Sequence, residues 1–160
     1  LGMNPCARAE VYPTMDGTLH IDVWQRRPVL RVHRPEGNDY YLDEQGQRMD
    51  LDPMHSPHLP VMHAANESQA RMAYDFVTST REDSFWNALT DQLAVNEFGE
   101  LILHPRLSGH EIVLGDASAC EHKKRNLKAF YRAQVKRGNL RNIKRIDLTY
   151  RDQVIAQRYP

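Results

Sequence analysis

Short apolar segments with a period of two, bounded by turn residues, constrain the fold of this chain more than any other feature. Residues 18–24 carry apolar side chains at alternate positions, Leu19, Ile21 and Val23. This alternation is typical of a strand with one buried face. Asp16-Gly17, just before it, supplies the positive φ that a hairpin turn needs. The pattern therefore predicts an early hairpin, with residues 9–13 as its first strand.

Further turn signals divide the next forty residues. Pro28 has no backbone N–H, so the strand either lies at an edge there or ends, and residues 29–32 are predicted to resume it. Residues 40–42 followed by 43–46 predict another strand and a tight turn. Residues 52–63 are rich in Pro and His and are predicted to form a loop.

Three helices are predicted after this loop. Asn66 followed by Gln69 resembles a capping box, and apolar residues at helical spacing come next. A second helix is predicted over 82–93, where three apolar residues lie four apart: Phe85, Leu89 and Leu93. The third is predicted from 116 to 136, with Ser118 and Glu121 as a capping box and Gly138-Asn139 as its end. Its inner stripe is Leu127, Phe130, Tyr131 and Gln134.

Strands are predicted again at 94–97, 101–104 and 110–114. A final strand has Ile146, Leu148 and Tyr150 on one face and continues, after a turn, to residue 156. The predicted class is α+β, a mostly antiparallel sheet with flanking helices packed on one side. A strand near the end of a chain is often at a sheet edge, where a partner strand can pair with its free N–H and C=O groups.

Charge is unevenly distributed, although 21 Lys+Arg and 21 Asp+Glu give a formal net charge of zero. The balance is +2 over residues 1–35, −10 over 36–111 and +8 over 112–160. The zero sum argues against a chain that is basic throughout and holds nucleic acid by bulk charge.

The basic block between residues 123 and 145 leaves two interpretations open. It contains ten Lys/Arg and no acidic residue. Lys124, Lys128 and Arg132 fall on one helical face, with Phe130 and Tyr131 between them. A nucleic-acid or anionic partner surface is one interpretation. A solvated helix face whose aromatic rings point into the core is the other, and we favour it.

Motifs for catalysis or cofactor binding are absent, and no cofactor is expected. The chain has no GxGxxG, GxxxxGK[ST], GxSxG or HExxH motif. His55, His58 and His63 lie in or beside the Pro-rich loop, where a solvated loop is favoured over a metal-dependent hydrolase site. Cys6 and Cys120 match no metal or redox spacing, so buried free thiols are favoured over a disulfide. No apolar run approaches the ~20 residues of a membrane span, and no signal peptide is found.

Three segments, in order, resemble the extracytoplasmic region of the FtsQ/DivIB cell-division proteins. Residues 4–11, 18–23 and 27–29 resemble the family's "NP-V-A-V … P-TL-I-V-ER-PVA" run. Residues 41–46 are similar to its "YLVDEQG", and residues 112–115 and 146–150 to its "I-LG … VDLRY" close. The resemblance covers about residues 4 to 158.

The resemblance implies a single-pass inner-membrane protein, tethered by a segment absent from this chain, with this region on the periplasmic side. It implies that residues 1–35 are the C-terminal part of a POTRA domain and that residues 39–160 form the β domain. It also implies a non-enzymatic scaffold of the divisome and of septum formation. The implied partners are FtsB- and FtsL-like bitopic proteins and, indirectly, septal peptidoglycan synthases, with no nucleic acid.

In the family, a partner adds a strand to the last β-strand of the β domain. Carried over by motif, this edge falls on Tyr150, Arg151, Asp152, Gln153, Val154 and Ala156. Thr149 stands where the motif has arginine, and no glycine follows Tyr150, so the charge contacts with the partner are expected to differ. Lys124, Lys128 and Arg132 are expected to steer an acidic partner towards the edge.

Overall fold

The computed structural model describes residues 6–52, 54, 56–106, 109–116, 118, 120–138 and 140–160. Within these residues the chain forms a two-stranded hairpin and a nine-stranded sheet with three α-helices. The strands are β1 Cys6–Pro13, β2 Leu19–Gln25, β3 Pro28–His33, β4 Tyr40–Asp43, β5 Arg48–Met49, β6 Val61–His63, β7 Thr90–Val95, β8 Leu101–Pro105, β9 Glu111–Gly115, β10 Ile143–Asp147 and β11 Ile155–Arg158. The helices are α1 Glu67–Thr80, α2 Ser84–Leu89 and α3 Cys120–Arg137, and a 3₁₀ turn spans Leu140–Asn142.

The predicted early hairpin is formed by β1 and β2. They pair antiparallel around a turn in which Gly17 has φ +84°. The register places Val11 opposite Ile21 and Ala9 opposite Val23, so one face of the hairpin is apolar. Val11, Ile21 and Val23 are 59%, 60% and 56% exposed. The alternation therefore predicts the strand correctly, but the expected burial of its apolar face does not occur against the described residues.

The large sheet has the order β11-β10-β9-β8-β7-β6-β3-β4-β5. Three neighbouring pairs, β3-β6, β6-β7 and β9-β10, are parallel, and the others are antiparallel. Parallel neighbours need a crossover, which α1 and α2 provide between β6 and β7 and α3 provides between β9 and β10. Residues from all three helices, among them Phe76, Trp86 and Leu127, join the inner residues of the sheet in a single core. The α+β class with a mostly antiparallel sheet is confirmed.

Two predicted element boundaries are wrong. The segment predicted as a loop over 52–63 ends in β6, which pairs with β3 and β7 in the middle of the sheet. Its three residues are too few to show a period. The second helix ends at Leu89, and Leu93 is fully buried in β7 instead. A spacing of four residues keeps side chains on one face of a helix and also on one face of a strand, so it could not separate the two.

Helix ends follow local hydrogen bonds. Asn66 caps α1 as predicted, because its side chain accepts the Gln69 N–H at 3.0 Å. Among the residues that the structure describes, the capping box predicted for α3 is not formed. This helix begins at Cys120, and the Ser118 hydroxyl donates to the Asp116 carboxylate at 2.6 Å. Gly138, with φ +68°, ends α3 as predicted.

The change from hairpin to sheet occurs near residues 26–27. β3 pairs with β4 and β6 and so belongs to the large sheet, before the domain boundary expected between 35 and 39. Arg26 Nε is 2.7 Å from Asp43 Oδ2, a carboxylate that is only 1% exposed. The assignment of the first segment to a POTRA domain stays a prediction.

The structure describes only some of the cysteine and histidine residues for which predictions were made. Cys6 is half-buried and forms no disulfide with the described residues, and the side chain of Cys120 lies outside them. His55 also lies outside them. His63 lies on β6 beside His33, with ring centroids 5.3 Å apart. Among the described residues, no group of three His, Cys, Asp or Glu is placed to hold a metal ion.

Candidate partner-binding edge

β11 is the last strand of the large sheet, and within the described chain it pairs only with β10. All four of its residues are exposed, and Ile155 is 41% exposed. An edge strand of this kind presents N–H and C=O groups that another strand can complete. A sheet edge is therefore present near the end of the chain, at residues 155–158, and its role in binding a partner stays a prediction.

The direction of each N–H group along β11 follows from one hydrogen bond. The Tyr159 N–H donates to Asn142 O at 3.0 Å, on the β10 side. Successive N–H groups alternate between the two sides of a strand. The N–H groups of Ile155 and Gln157 therefore face β10, and those of Ala156 and Arg158 face away from the sheet. These two donors are the ones available to an added strand.

The site residues carried over by motif fall mostly beside this strand. Tyr150, Arg151, Asp152 and Gln153 form the turn between β10 and β11, and all four are exposed. Val154 is half-buried and packs against the core. Of the six, only Ala156 lies on β11. Ile155, Gln157 and Arg158 are not among the six, because the motif places the edge directly after Tyr150, whereas the chain turns there and forms β11 from residue 155.

Three contacts hold the turn against the rest of the domain. The Leu148 N–H donates to Val113 O at 3.0 Å, and Leu148 is buried. The Asp147 carboxylate accepts the N–H and the hydroxyl of Thr149, at 2.9 and 2.6 Å. Asn126 of α3 donates to Arg151 O at 2.9 Å. The turn and the start of β11 are thus held by β9, by β10 and by the preceding helix.

The comparison with protein families gives one match. The model of the family described as FtsQ/DivIB, C-terminal related, matches residues 27–157. This chain belongs to that family. The match covers the large sheet except for Arg158, the last residue of β11, and the hairpin β1-β2 lies before it. The search of curated proteins found no match to the chain.

Membership agrees with the resemblance found in the sequence and gives the chain a cell-division role. The FtsQ/DivIB family is a family of non-catalytic division scaffolds that act in the division complex with protein partners. Among the described residues, no helix is both long enough and apolar enough to cross a membrane.

Positive charge surrounds the edge of this FtsQ/DivIB-related domain. Residues 140–160 contain five Lys/Arg and two Asp, a balance of +3. Arg151 in the turn and Arg158 on β11 are exposed. Arg145 on β10 is partly neutralised by Glu111, at 3.6 Å. The last 21 residues, which include the edge, therefore carry a net positive charge.

The three residues expected to steer a partner differ in whether their charge already contacts another residue. Lys124 pairs with Asp83, and the hydrogen bond from Lys124 holds the pKa of Asp83 below its usual value. The Lys128 ammonium lies 4.8 Å from the centroid of the Phe85 ring. Both lysines are thus engaged with α2, whereas Arg132 is exposed.

The aromatic residues of the basic helix face inwards, as the favoured interpretation expects. Phe130 and Tyr131 pack against the core. The Tyr131 hydroxyl lies 2.8 Å from Nε2 of His110, which is 2% exposed. Burial raises the pKa of Tyr131 and lowers that of His110, so both groups are neutral near pH 7. These rings are thus partly buried against the core.

Proposed function

We propose that this chain is part of a non-enzymatic divisome scaffold that binds a bitopic partner, of the FtsB or FtsL kind, by strand addition at β11. The observation that carries the proposal is the exposed edge strand with its two outward N–H donors, at Ala156 and Arg158. Main-chain hydrogen bonds supply affinity in this mode of recognition, and alternate side chains supply specificity. Septal peptidoglycan synthases are recruited indirectly, through the partner.

The partner strand carries acidic side chains in this proposal, because the edge is basic. Arg151 and Arg158 lie beside the added strand, and Arg132 adds to the positive field from α3. Lys124 and Lys128 contribute less, since each already has a contact on α2. Such charges mainly raise the association rate, and salt screens them.

Ala156→Pro tests strand addition directly. Proline removes an N–H that faces away from the sheet, and an edge strand tolerates proline at such a position. We expect the variant to keep its urea unfolding midpoint and to lose binding to the purified FtsB/FtsL ectodomain pair. Val154 is a poorer position for proline, because it lies before β11 and packs against the core.

Ala156→Val is the matched control, because it keeps the N–H and adds a β-branched side chain at an exposed position. Binding should be retained. Equal binding by wild type and Ala156→Pro would contradict strand addition at β11. If Ala156→Pro loses its folded state as well as its binding, Arg158→Pro repeats the test at the second N–H that faces away from the sheet.

Salt dependence tests the electrostatic part separately. Arg151→Gln with Arg158→Gln should slow association at low salt and leave a smaller difference at high salt. Lys124→Gln should change the association rate less than Arg132→Gln. A partner that associates equally fast with all of these variants would contradict steering while leaving strand addition intact.

We further propose that the hairpin β1-β2 belongs to a POTRA domain that precedes the β domain. Its apolar face of Val11, Ile21 and Val23 is more than half exposed, and such a face normally packs against other elements. In this arrangement the protein is anchored in the inner membrane by a segment outside this chain and lies on the periplasmic side.

Thiol labelling tests the POTRA assignment. In a background without Cys6 and Cys120, Ile21→Cys should react quickly in the 160-residue chain and slowly in a version extended to the start of the reading frame. Asp22→Cys, on the opposite face, should react quickly in both. Fast labelling of both cysteines in the extended version would contradict the assignment.

A further inference from the structure

Two histidines lie side by side on neighbouring strands in the middle of the large sheet. His33 ends β3 and His63 ends β6, and the register of this parallel pair places them directly opposite each other. Their chain neighbours Val32 and Met62 are fully buried, so the two histidines project from the opposite face of the sheet. Both histidines are exposed. An ion in the solvent can therefore reach the two rings.

One ring nitrogen of His33 is held by Asp39. The Nδ1 atom of His33 is 2.8 Å from Asp39 Oδ1. Burial of Asp39 opposes its ionisation, but hydrogen bonds from Arg31 and His33 hold the pKa of this carboxyl below its usual value. An ionised carboxylate only accepts hydrogen bonds, so Nδ1 of the neutral ring carries the proton and Nε2 keeps a lone pair. A carboxylate in this position is the usual outer-shell partner of a histidine that binds zinc, because it fixes the orientation of the ring and raises its basicity.

The other histidine is held in the same way, but by its other nitrogen. The Nε2 atom of His63 is 3.2 Å from Oε1 of Gln92, on β7. A side-chain carbonyl oxygen accepts, so Nε2 of His63 carries the proton and Nδ1 keeps a lone pair. Nε2 of His33 and Nδ1 of His63 make no hydrogen bond with the described residues. Each ring thus offers one nitrogen to a ligand that accepts a lone pair.

The separation of the two rings suits a single metal ion. Their centroids are 5.3 Å apart and their planes meet at 75°. Zinc binds histidine nitrogen at ~2.0–2.1 Å in tetrahedral geometry, which places the centroids of two imidazole rings on one ion ~5 Å apart. The second side-chain torsion of histidine is broad, so small rotations can aim both nitrogens at one point. Neutral imidazole is a preferred ligand of zinc.

The charges around the pair permit a cation to bind. Arg31 lies on the same face of the sheet as His33, two residues before it, and its guanidinium is 2.9 Å from Asp39 Oδ2. The charge of this neighbouring arginine is therefore balanced. His63 also lies in the segment of residues 36–111, whose net charge is −10. A negative field of this kind raises the local concentration of cations.

We propose that His33 and His63 bind one Zn²⁺ ion, through Nε2 and Nδ1 respectively. Water takes the other coordination positions, because no third His, Cys, Asp or Glu among the described residues is placed to bind the same ion. The ion links β3 to β6, a strand of only three residues. Four strands lie between β6 and β11 in the sheet, so the site is separate from the docking edge and independent of the division role.

Isothermal titration calorimetry of the 160-residue chain with zinc chloride tests the proposal. We expect a dissociation constant of about 10 µM, because two imidazole ligands supply about half of the binding free energy of a four-ligand structural site. His33→Gln and His63→Gln should each weaken zinc binding at least about tenfold and keep the urea unfolding midpoint, since both side chains are exposed. Asp39→Asn removes the outer-shell carboxylate and should weaken binding about tenfold.

Two histidines that lie elsewhere are matched controls. His104 is exposed on β8, and His58 is exposed in the segment before β6. His104→Gln and His58→Gln remove one imidazole each, as the test variants do. Both controls should bind zinc with the constant of the wild type.

Nuclear magnetic resonance of the ¹⁵N-labelled chain identifies the nitrogens that bind the ion. The chain has eight histidines, so the six others are internal references. Without zinc, His33 should be the Nδ1–H tautomer and His63 the Nε2–H tautomer. Added zinc should shift Nε2 of His33 and Nδ1 of His63 in parallel, and the ring nitrogens of the other six should not move.

Three results would overturn the proposal. The first is zinc binding that is as tight in His33→Gln or His63→Gln as in the wild type. The second is binding that His58→Gln or His104→Gln removes, which would place the ion elsewhere. The third is zinc that binds only above ~1 mM, or that shifts one of the two rings alone, which would mean that the rings do not share an ion.

Discussion

Gly115 offers a sharp test of how the edge strand is supported. It ends β9 with φ +71°, a conformation that favours glycine. A Cβ added there would lie 2.9 Å from Thr149 Cγ2, closer than carbon atoms pack. Thr149 cannot move aside freely, because its N–H and hydroxyl both bond to the Asp147 carboxylate. Gly115→Ala therefore introduces backbone strain and a clash together.

The two contributions can be assigned separate magnitudes. An alanine in the left-handed conformation costs about 1 kcal/mol of unfolding free energy. Forcing an extra methyl group into a packed site costs about 1–3 kcal/mol more. A loss of about 3 kcal/mol in a domain of this size corresponds to a fall in Tm of about 6–12 °C.

Urea unfolding followed by circular dichroism measures the loss, and two other variants separate its causes. Gly99 has φ +79° with open space around it, so Gly99→Ala should show the backbone cost alone. Thr149→Ser removes Cγ2 and keeps the hydroxyl bond to Asp147. The double variant Gly115→Ala with Thr149→Ser should therefore recover about 1–2 kcal/mol.

The reasoning would be refuted by either of two results. One is a Gly115→Ala variant no less stable than Gly99→Ala. The other is a double variant in which the two effects simply add, which would mean that the methyl groups do not meet. In the expected case, the loosened contact also weakens partner binding at β11, because Thr149 leads into the turn.

Three further predictions concern buried or anchoring polar groups. Burial lowers the pKa of His110, so the unfolded chain binds a proton at this residue more readily than the folded chain does. The free energy of unfolding should therefore fall by up to about 1.4 kcal/mol per pH unit below pH ~6.5, with little change above it. Urea unfolding midpoints measured at a series of pH values test this. Arg26→Ala leaves the Asp43 carboxylate buried without its cation and should cost about 3 kcal/mol of unfolding free energy. Asn126→Ala removes the bond to Arg151 O, and should lower stability by about 1 kcal/mol and speed amide exchange in the turn.

Each of these has a control in the chain. His110→Gln should flatten the acidic limb of the profile, whereas the same change at exposed His104 should not. Exposed Arg27 lies next to Arg26, and Arg27→Ala should change stability by less than about 0.5 kcal/mol. Exposed Arg125 lies next to Asn126, and Arg125→Ala should leave exchange in the turn unchanged. If a variant and its control changed the measured property equally, the interaction proposed for that residue would be contradicted.

The candidate partner-binding edge shows how much of the structure local sequence patterns predict. The alternation of Ile146 and Leu148 and the later Val154 predicted strands near the end of the chain, and an edge strand is present there. Five of the six residues taken from the motif lie before it, because a turn separates β10 from β11. The turn depends on Asp147 bonding Thr149 and on Asn126 reaching across from α3. The bond between Asp147 and Thr149 is local, whereas the bond from Asn126 needs the helix and the sheet to be in place.

Sequence alone determined the features that depend on neighbours along the chain. Asn66 caps its helix, Gly17 turns the hairpin and Gly138 ends α3, because caps and turns are made by residues within a few positions of one another. The inner stripe of α3 also followed from spacing, and the family resemblance followed from the order of short motifs.

Only the tertiary structure decided what depends on distant parts of the chain. β6 is a strand because β3 and β7 pair with it on both sides, although its own residues give no clear period. Lys124 forms an ion pair because the fold places Asp83, the N-cap residue of α2, beside it. Val29, Leu59 and Trp86 line one cavity, although they come from β3, from the segment before β6 and from α2. Pairing and enclosure join residues tens of positions apart, so no local pattern could reveal them.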